Sequence, residues 1–260
     1  MTPLPLHSSI RHGPVQSSKP LPAVQLPGLL ASVADLAEVE LALPHADLID
    51  LKDPAQGALG AWPLARIAEA VRLVDHRRPV SATVGDLPPD PEMLAAAARA
   101  TAGTGVDFVK LGFFPGGDHR RLARELATVA ADGVALVAVL MADHEPDYAI
   151  VSTLGAAGFR GVMLDTADKA AGSLLAYQTP PSLTRFVTAA RARSLLTGLA
   201  GSLRVDDIAT LAPIGADFLG FRGALCARGR AAALDPARLA AVRAAVDRSG
   251  SPVASEICRT

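Results

Sequence analysis

A single-domain α/β chain folded as a (βα)8 TIM barrel is what this sequence predicts, on three observations. Short apolar runs alternate with alanine-rich helical stretches eight times between residues 28 and 250. The apolar runs are continuous rather than alternating, as a parallel sheet covered on its outside requires. Several runs also share an entrance, HADLIDLK, GVDFVKLG and GADFLGFRG, in which a small residue and Asp follow a helix. That is the internal echo expected of a repeated βα unit. A doubly wound open sheet would want a glycine-rich dinucleotide turn after the first strand, where this chain reads ASVAD.

The first strand is read at Leu29–Val33 and its helix at Asp35–Leu43. Asp47–Lys52 follows, with a helix over Pro63–Val74 whose proline suits a first turn. The third strand, Val80–Val84, ends at Gly85-Asp86 and leads to a helix over Pro91–Ala102. The fourth, Asp107–Leu111, precedes a helix at His119–Ala131, and the fifth, Ala135–Met141, one at Tyr148–Ala157. Gly161–Leu164 ends in Asp165-Thr166 and meets a helix at Pro181–Arg193. Leu195–Leu199 runs into Gly201-Ser202 and a short helix at Val205–Leu211. The last strand, Asp217–Phe221, ends at Arg222-Gly223, and Asp235–Asp247 closes the chain as an amphipathic helix. Residues 1–27, rich in proline with scattered Ser and His, and residues 251–260 are expected to be tails, the first of them disordered. The first tail has no apolar core of a secretory signal.

The chain has 260 residues, half of them apolar, and a formal net charge of −1. That balance argues against a nucleic-acid or membrane-surface partner. No apolar run approaches the roughly twenty residues that span a bilayer. Cys226 and Cys258 stand far apart without metal-ligand spacing, which fits reduced thiols and a cytoplasmic protein. The cations are lopsided. Of 25 basic residues, only Lys19, Lys52, Lys110 and Lys169 are lysines. Arginine is the default cation here, so the lysines mark places where an amine that can lose its proton has a use.

Barrels of this kind do chemistry at the C-terminal ends of their strands. Those positions hold Asp50 and Lys52, Asp86, Lys110, Asp165 with nearby Lys169, Gly201-Ser202 and Arg222-Gly223. Every lysine outside the first tail is in this set. Asp50 and Lys52 stand two apart on a strand and share a face. A buried salt bridge between them would be an adequate structural explanation. Lys110 changes the balance, because two ammonium groups converging in a barrel mouth repel and one is relieved by deprotonation. A neutral amine is a nucleophile towards a carbonyl. Asp50 either holds Lys52 charged or relays its protons, and the residues leave both open. Gly201, Ser202, Arg222 and Gly223 occupy the corner where such barrels bind phosphate, with glycine N–H groups and a bidentate arginine. Ordinary glycine turns are the plain alternative. Amine and anion site together point to a phosphorylated carbonyl substrate.

Other candidates carry less. His45 precedes the second strand at the far end of the barrel and reads as structural. His119, Arg120 and Arg121 read as a solvated helix start, and Asp143-His144-Glu145 are adjacent on one loop, which seldom converges on an ion. No metal and no redox cofactor is expected. Cys226 is close to the rim, with nothing to mark it as a nucleophile.

The runs DLIDLKDPAQGALGA, DFVKLGFF, VMLDTADK, LAGSL and FLGFRGALC, in that order, resemble the (5-formylfuran-3-yl)methyl phosphate synthase family, the 4-(hydroxymethyl)-2-furancarboxaldehyde-phosphate synthases of methanofuran biosynthesis. The resemblance covers Leu29 to about Arg248. It implies a lyase that condenses two molecules of glyceraldehyde 3-phosphate with loss of phosphate and water. It further implies that Lys52 forms a Schiff base, that Lys110 accepts a proton, and that Lys169, Asp50 and Asp165 belong to the site. The long first tail departs from the compact archaeal members and points to a bacterial branch making methanofuran or a related methylofuran-type one-carbon carrier. The loop FFPGGDHRR departs as well, which leaves the second phosphate contact open. A class I aldolase for another phosphosugar, a phosphosugar isomerase and a non-catalytic metabolite-binding barrel are the competing readings. A homo-oligomer is left open.

Overall fold

The computed structural model describes residues 27–249; apart from Pro27, the expectations for the two tails and for Cys258 lie outside them. Eight parallel strands form a closed barrel in sequence order: β1 (Gly28–Val33), β2 (Leu48–Leu51), β3 (Val80–Thr83), β4 (Phe108–Phe113), β5 (Leu136–Met141), β6 (Gly161–Asp165), β7 (Leu196–Leu199) and β8 (Phe218–Phe221). Closure is made by β8 against β1, from Gly28 opposite Phe218 to Ala31 opposite Phe221. Alternate residues of each strand divide two apolar regions. Leu29, Ala31 and Val33 pack outward against the helices, while Leu30, Leu48, Val139 and Met163 fill the interior with Phe108 and Phe218.

The helices are α1 (Leu36–Ala42), α2 (Leu64–Val74), α3 (Pro91–Ala102), α4 (His119–Glu125), α5 (Ala127–Ala131), α6 (Ile150–Ala156), α7 (Leu174–Tyr177), α8 (Pro180–Arg191), α9 (Ile208–Leu211) and α10 (Pro236–Arg248). Their starts follow from capping chemistry. Asp90 and Asp235 each accept a backbone N–H from the first turn and are followed at once by Pro91 and Pro236, residues preset for a helix start. The helix expected over His119–Ala131 is two. Leu126 sits between them with ψ −6°, a turn that keeps this fully buried side chain and Val129 in the core. The seventh connection is likewise divided, into a 3-10 turn at Val205–Asp207 and the short α9.

The shared Asp at the strand entrances has a structural job. Asp47 accepts from the N–H of Leu29 at 2.8 Å, Asp107 from Val80 at 2.7 Å, and Asp217 from Thr197 at 2.7 Å. Each carboxylate thus satisfies a backbone donor of the strand before its own, at the N-terminal end of the barrel. The opposite end is left free for the site.

Candidate active site

The inward alternation of the interior continues to the mouth, but with charges in place of carbon. Leu48 is followed two residues on by Asp50 and then Lys52, Phe108 by Lys110, and Met163 by Asp165. Asp50, Lys110, Asp165 and Lys52 are 0, 2, 3 and 6% exposed, so the amines meet their carboxylates almost out of water. Lys169 joins them from the loop after β6, with its ammonium against Asp165.

The salt bridge that β2 alone allows between Asp50 and Lys52 is not made. Asp50 does not hold Lys52. Its Oδ1 takes a hydrogen bond from Lys110 Nζ at 2.9 Å and one from Ser81 at 2.7 Å, and its Oδ2 takes one from Ser32 at 2.8 Å. Register explains the change, since Ser32, Asp50 and Ser81 are neighbours across β1, β2 and β3. Lys52 reaches instead to Asp165 Oδ2, 3.5 Å away across the mouth. Asp165 Oδ1 also accepts from Lys169 and from the N–H of Thr166.

Three amines therefore share two carboxylates. Burial pushes the Lys110 amine below its ordinary value, and the nearby Lys52 adds to this against the pull of Asp50. Burial and Lys52 likewise bring Lys169 down to about 8, although Asp165 opposes them. Burial alone would raise both carboxyls, but the surrounding lysines reverse it and hold Asp50 and Asp165 below the usual carboxylate range.

Lys52, Lys110, Asp165 and Lys169 open onto a cavity of about 470 Å³ that also includes Gly201, Ser202, Arg222 and Gly223, while Asp50 lies beneath Lys110. Gly201 has φ +112°, and a Cβ there would come within 2.9 Å of Thr166, so glycine is required. The Ser202 hydroxyl donates to the carbonyl of Lys169 at 2.9 Å and ties the turn after β7 to the loop that carries Lys169.

Arg222 requires a correction. All five of its N–H donors are consumed inside the protein: by Arg230 O, Ser32 O, Ala232 O and both oxygens of Glu38. It is a clasp between α1, β8 and the loop leading to α10, with no donor left for an anion. Glu38 completes the clasp by accepting from the N–H groups of Ala34 and Leu234. Nothing in sequence separates Glu38 from a solvated first-turn acid. Arg230, also missed, lines the cavity, and its Nη2 donates to Gly57 O at 3.1 Å across the mouth.

The other rim residues are spent on loops. Asp86 accepts from the N–H groups of Ala58 and Leu59, and Gly57 leaves the space, because a Cβ there would lie 2.0 Å from Asp86 Oδ2. Asp143 accepts from Ala167 and Asp168, which fixes the loop carrying Lys169. His119 donates to Phe114 O, and Cys226 is buried with its thiol pushed up by burial.

A family model described as 4-HFC-P synthase matches residues 29–243. A protein of Methylorubrum extorquens, provisionally named (5-formylfuran-3-yl)methyl phosphate synthase, is 43% identical over 216 residues, covering 82% of this chain and 89% of its own. The (5-formylfuran-3-yl)methyl phosphate synthase of Methanopyrus kandleri is 33% identical, covering 78% and 91%. Among solved structures, a 3-hexulose-6-phosphate synthase from Salmonella typhimurium superposes with a TM-score of 0.61 at 14% identity, over 85% of this chain and 99% of that one. At that identity the likeness is one of fold.

Proposed function

This chain belongs to the 4-HFC-P synthase family, the (5-formylfuran-3-yl)methyl phosphate synthases of methanofuran biosynthesis, and from that premise we propose how its barrel mouth works. It condenses two molecules of glyceraldehyde 3-phosphate, through a Schiff base on Lys52, into the furan aldehyde phosphate. The observation that carries this reading is two buried amines and a third largely buried one around two carboxylates, opening onto one cavity with a glycine corner. Phosphate binding alone has no need of an amine that has been pushed towards neutrality.

The Lys52 amine adds to one triose carbonyl, and the carbinolamine loses water as Asp165 and Lys169 pass a proton to the departing hydroxyl. The iminium acidifies the adjacent C–H, and Lys110, whose amine burial drives towards the neutral form, accepts that proton. Asp50 then stabilises the Lys110 ammonium it already touches. The enamine attacks the aldehyde of the second triose. Loss of phosphate and water, with return of Lys52, makes the ring aromatic. Gly201 and Ser202 bind the first phosphate through backbone N–H groups in the concave turn they form. The assignment implies a lyase working in the cytoplasm on a small-molecule substrate.

Borohydride reduction in the presence of glyceraldehyde 3-phosphate tests the imine. A triose phosphate adduct on the peptide carrying Lys52 is expected, and none on Lys52→Ala. An unmodified Lys52 in an enzyme that still turns over would favour an isomerase-like route without an imine.

A further inference from the structure

We propose that Arg230 binds the phosphate of the second phosphotriose, and that the buried Glu38–Arg222 clasp exists to present it. The proposal rests on the two-triose reading above and adds the residue that recognises the acceptor.

Two phosphorylated substrates bring two dianionic groups to one mouth, and a single glycine corner after β7 serves one of them. Arg222 cannot serve the other, because its donors are spent. Arg230 can. Among the described residues its guanidinium has one partner, Gly57 O, which leaves four N–H donors available. It is half-buried at the mouth, where a guanidinium is only partly screened by bulk water.

Its position also fits an acceptor site. A second opening lies beside the first, bordered by Gly57, Ala58, Asp86 and the loop 167–170, and Lys169 and Arg230 are the residues common to both. A phosphate held between those two cations would leave its aldehyde within the mouth, facing Lys52. The carboxylates on that side are already engaged, Asp86 by two backbone N–H groups and Asp168 by the N–H of Ala170.

The backbone of Arg230 is fixed by the residue that was expected to bind phosphate. Arg222 Nε donates to Arg230 O at 2.8 Å and Arg222 Nη2 to Ala232 O at 2.9 Å, while Glu38 holds the same guanidinium from the α1 side. The loop is pinned further where Cys226 bridges to Leu234. One arginine is thus buried to aim another. Arg222 and Glu38 are positioning residues, and Arg230 is the one that meets substrate.

Arg230→Gln and Arg230→Lys test this with two readouts. In Arg230→Gln the borohydride adduct on Lys52 should form at the wild-type concentration of triose, because the first phosphate keeps its corner. The concentration giving half-maximal furan formation should rise roughly tenfold or more, the loss of one charge-assisted phosphate contact, with Arg230→Lys in between. Orthophosphate binding gives a readout independent of the chemistry: two ions per wild-type chain and one per Arg230→Gln chain by calorimetry. Equal phosphate stoichiometry in the two would overturn the proposal, as would parallel loss of adduct and product in Arg230→Gln. Wild-type protein that binds two phosphates yet makes no furan would sink the two-triose reading and leave Arg230 as an anion residue.

Discussion

At the scale of single residues, chemistry at this mouth is set by which carboxylate each amine meets. The scarcity of lysine in an arginine-rich chain is enough to mark Lys52, Lys110 and Lys169. Their partners cannot be read the same way, because pairing depends on how strands stagger around the barrel. Asp50 and Lys52 look like a pair along β2, yet Asp50 is turned to Ser32, Ser81 and Lys110, and Lys52 crosses to Asp165. Arg222 misleads for a related reason: its role depends on Glu38, 184 positions away. The amine cluster yields a signed pH dependence. In the proposed mechanism Lys169 must be protonated to help expel the carbinolamine hydroxyl. Burial and Lys52 bring it down to about 8, so imine formation measured by single-turnover trapping should fall as pH rises through about 8. Asp165 favours the charged form of Lys169, so Asp165→Asn should move that fall to lower pH. A fall left in place in Asp165→Asn would assign it to another group.

At the scale of elements, the strands and most helices are legible because period and capping agree. Pro91–Ala102 is found with the expected bounds, since Asp90 and Pro91 fix its start and Gly103 follows its end. The misses are places where packing overrides pattern, as at Leu126, whose burial divides one helical stretch into α4 and α5. The repeated Asp at the strand entrances is visible as an echo, but its purpose emerges only when neighbouring strands are side by side. Because Asp47, Asp107 and Asp217 work at the end of the barrel away from the amines, stability and catalysis separate there. Asp107→Ala removes the acceptor of the Val80 N–H and should cost about 1–2 kcal/mol. Urea unfolding would measure that loss, and the turnover number should stay unchanged. A matching drop in turnover would mean that the entrance hydrogen bonds hold the mouth as well as the barrel.

At the scale of the whole molecule, a closed barrel lets groups distant in sequence meet with no domain interface. Pairing of β8 with β1 brings Gly223 and Arg230 to the same mouth as Ser32 and Lys52, and the ends of β1, β2, β4, β6, β7 and β8 line one cavity. The fold class and the rim were legible in sequence because they follow from repetition. The proposed phosphate contacts are legible in part: Gly201 is required by its turn, whereas Arg230 sits on a loop that no strand pattern points to. In the proposed mechanism Lys52 and Lys110 act together to turn two trioses into a furan. The most direct measurement is an ultraviolet assay with glyceraldehyde 3-phosphate as sole substrate, run on wild type, Lys52→Ala and Lys110→Ala. A furan aldehyde absorption band with release of free phosphate is predicted for wild type, and neither signal for the two variants. An aldol adduct without the band, or full furan formation by Lys52→Ala, would contradict it.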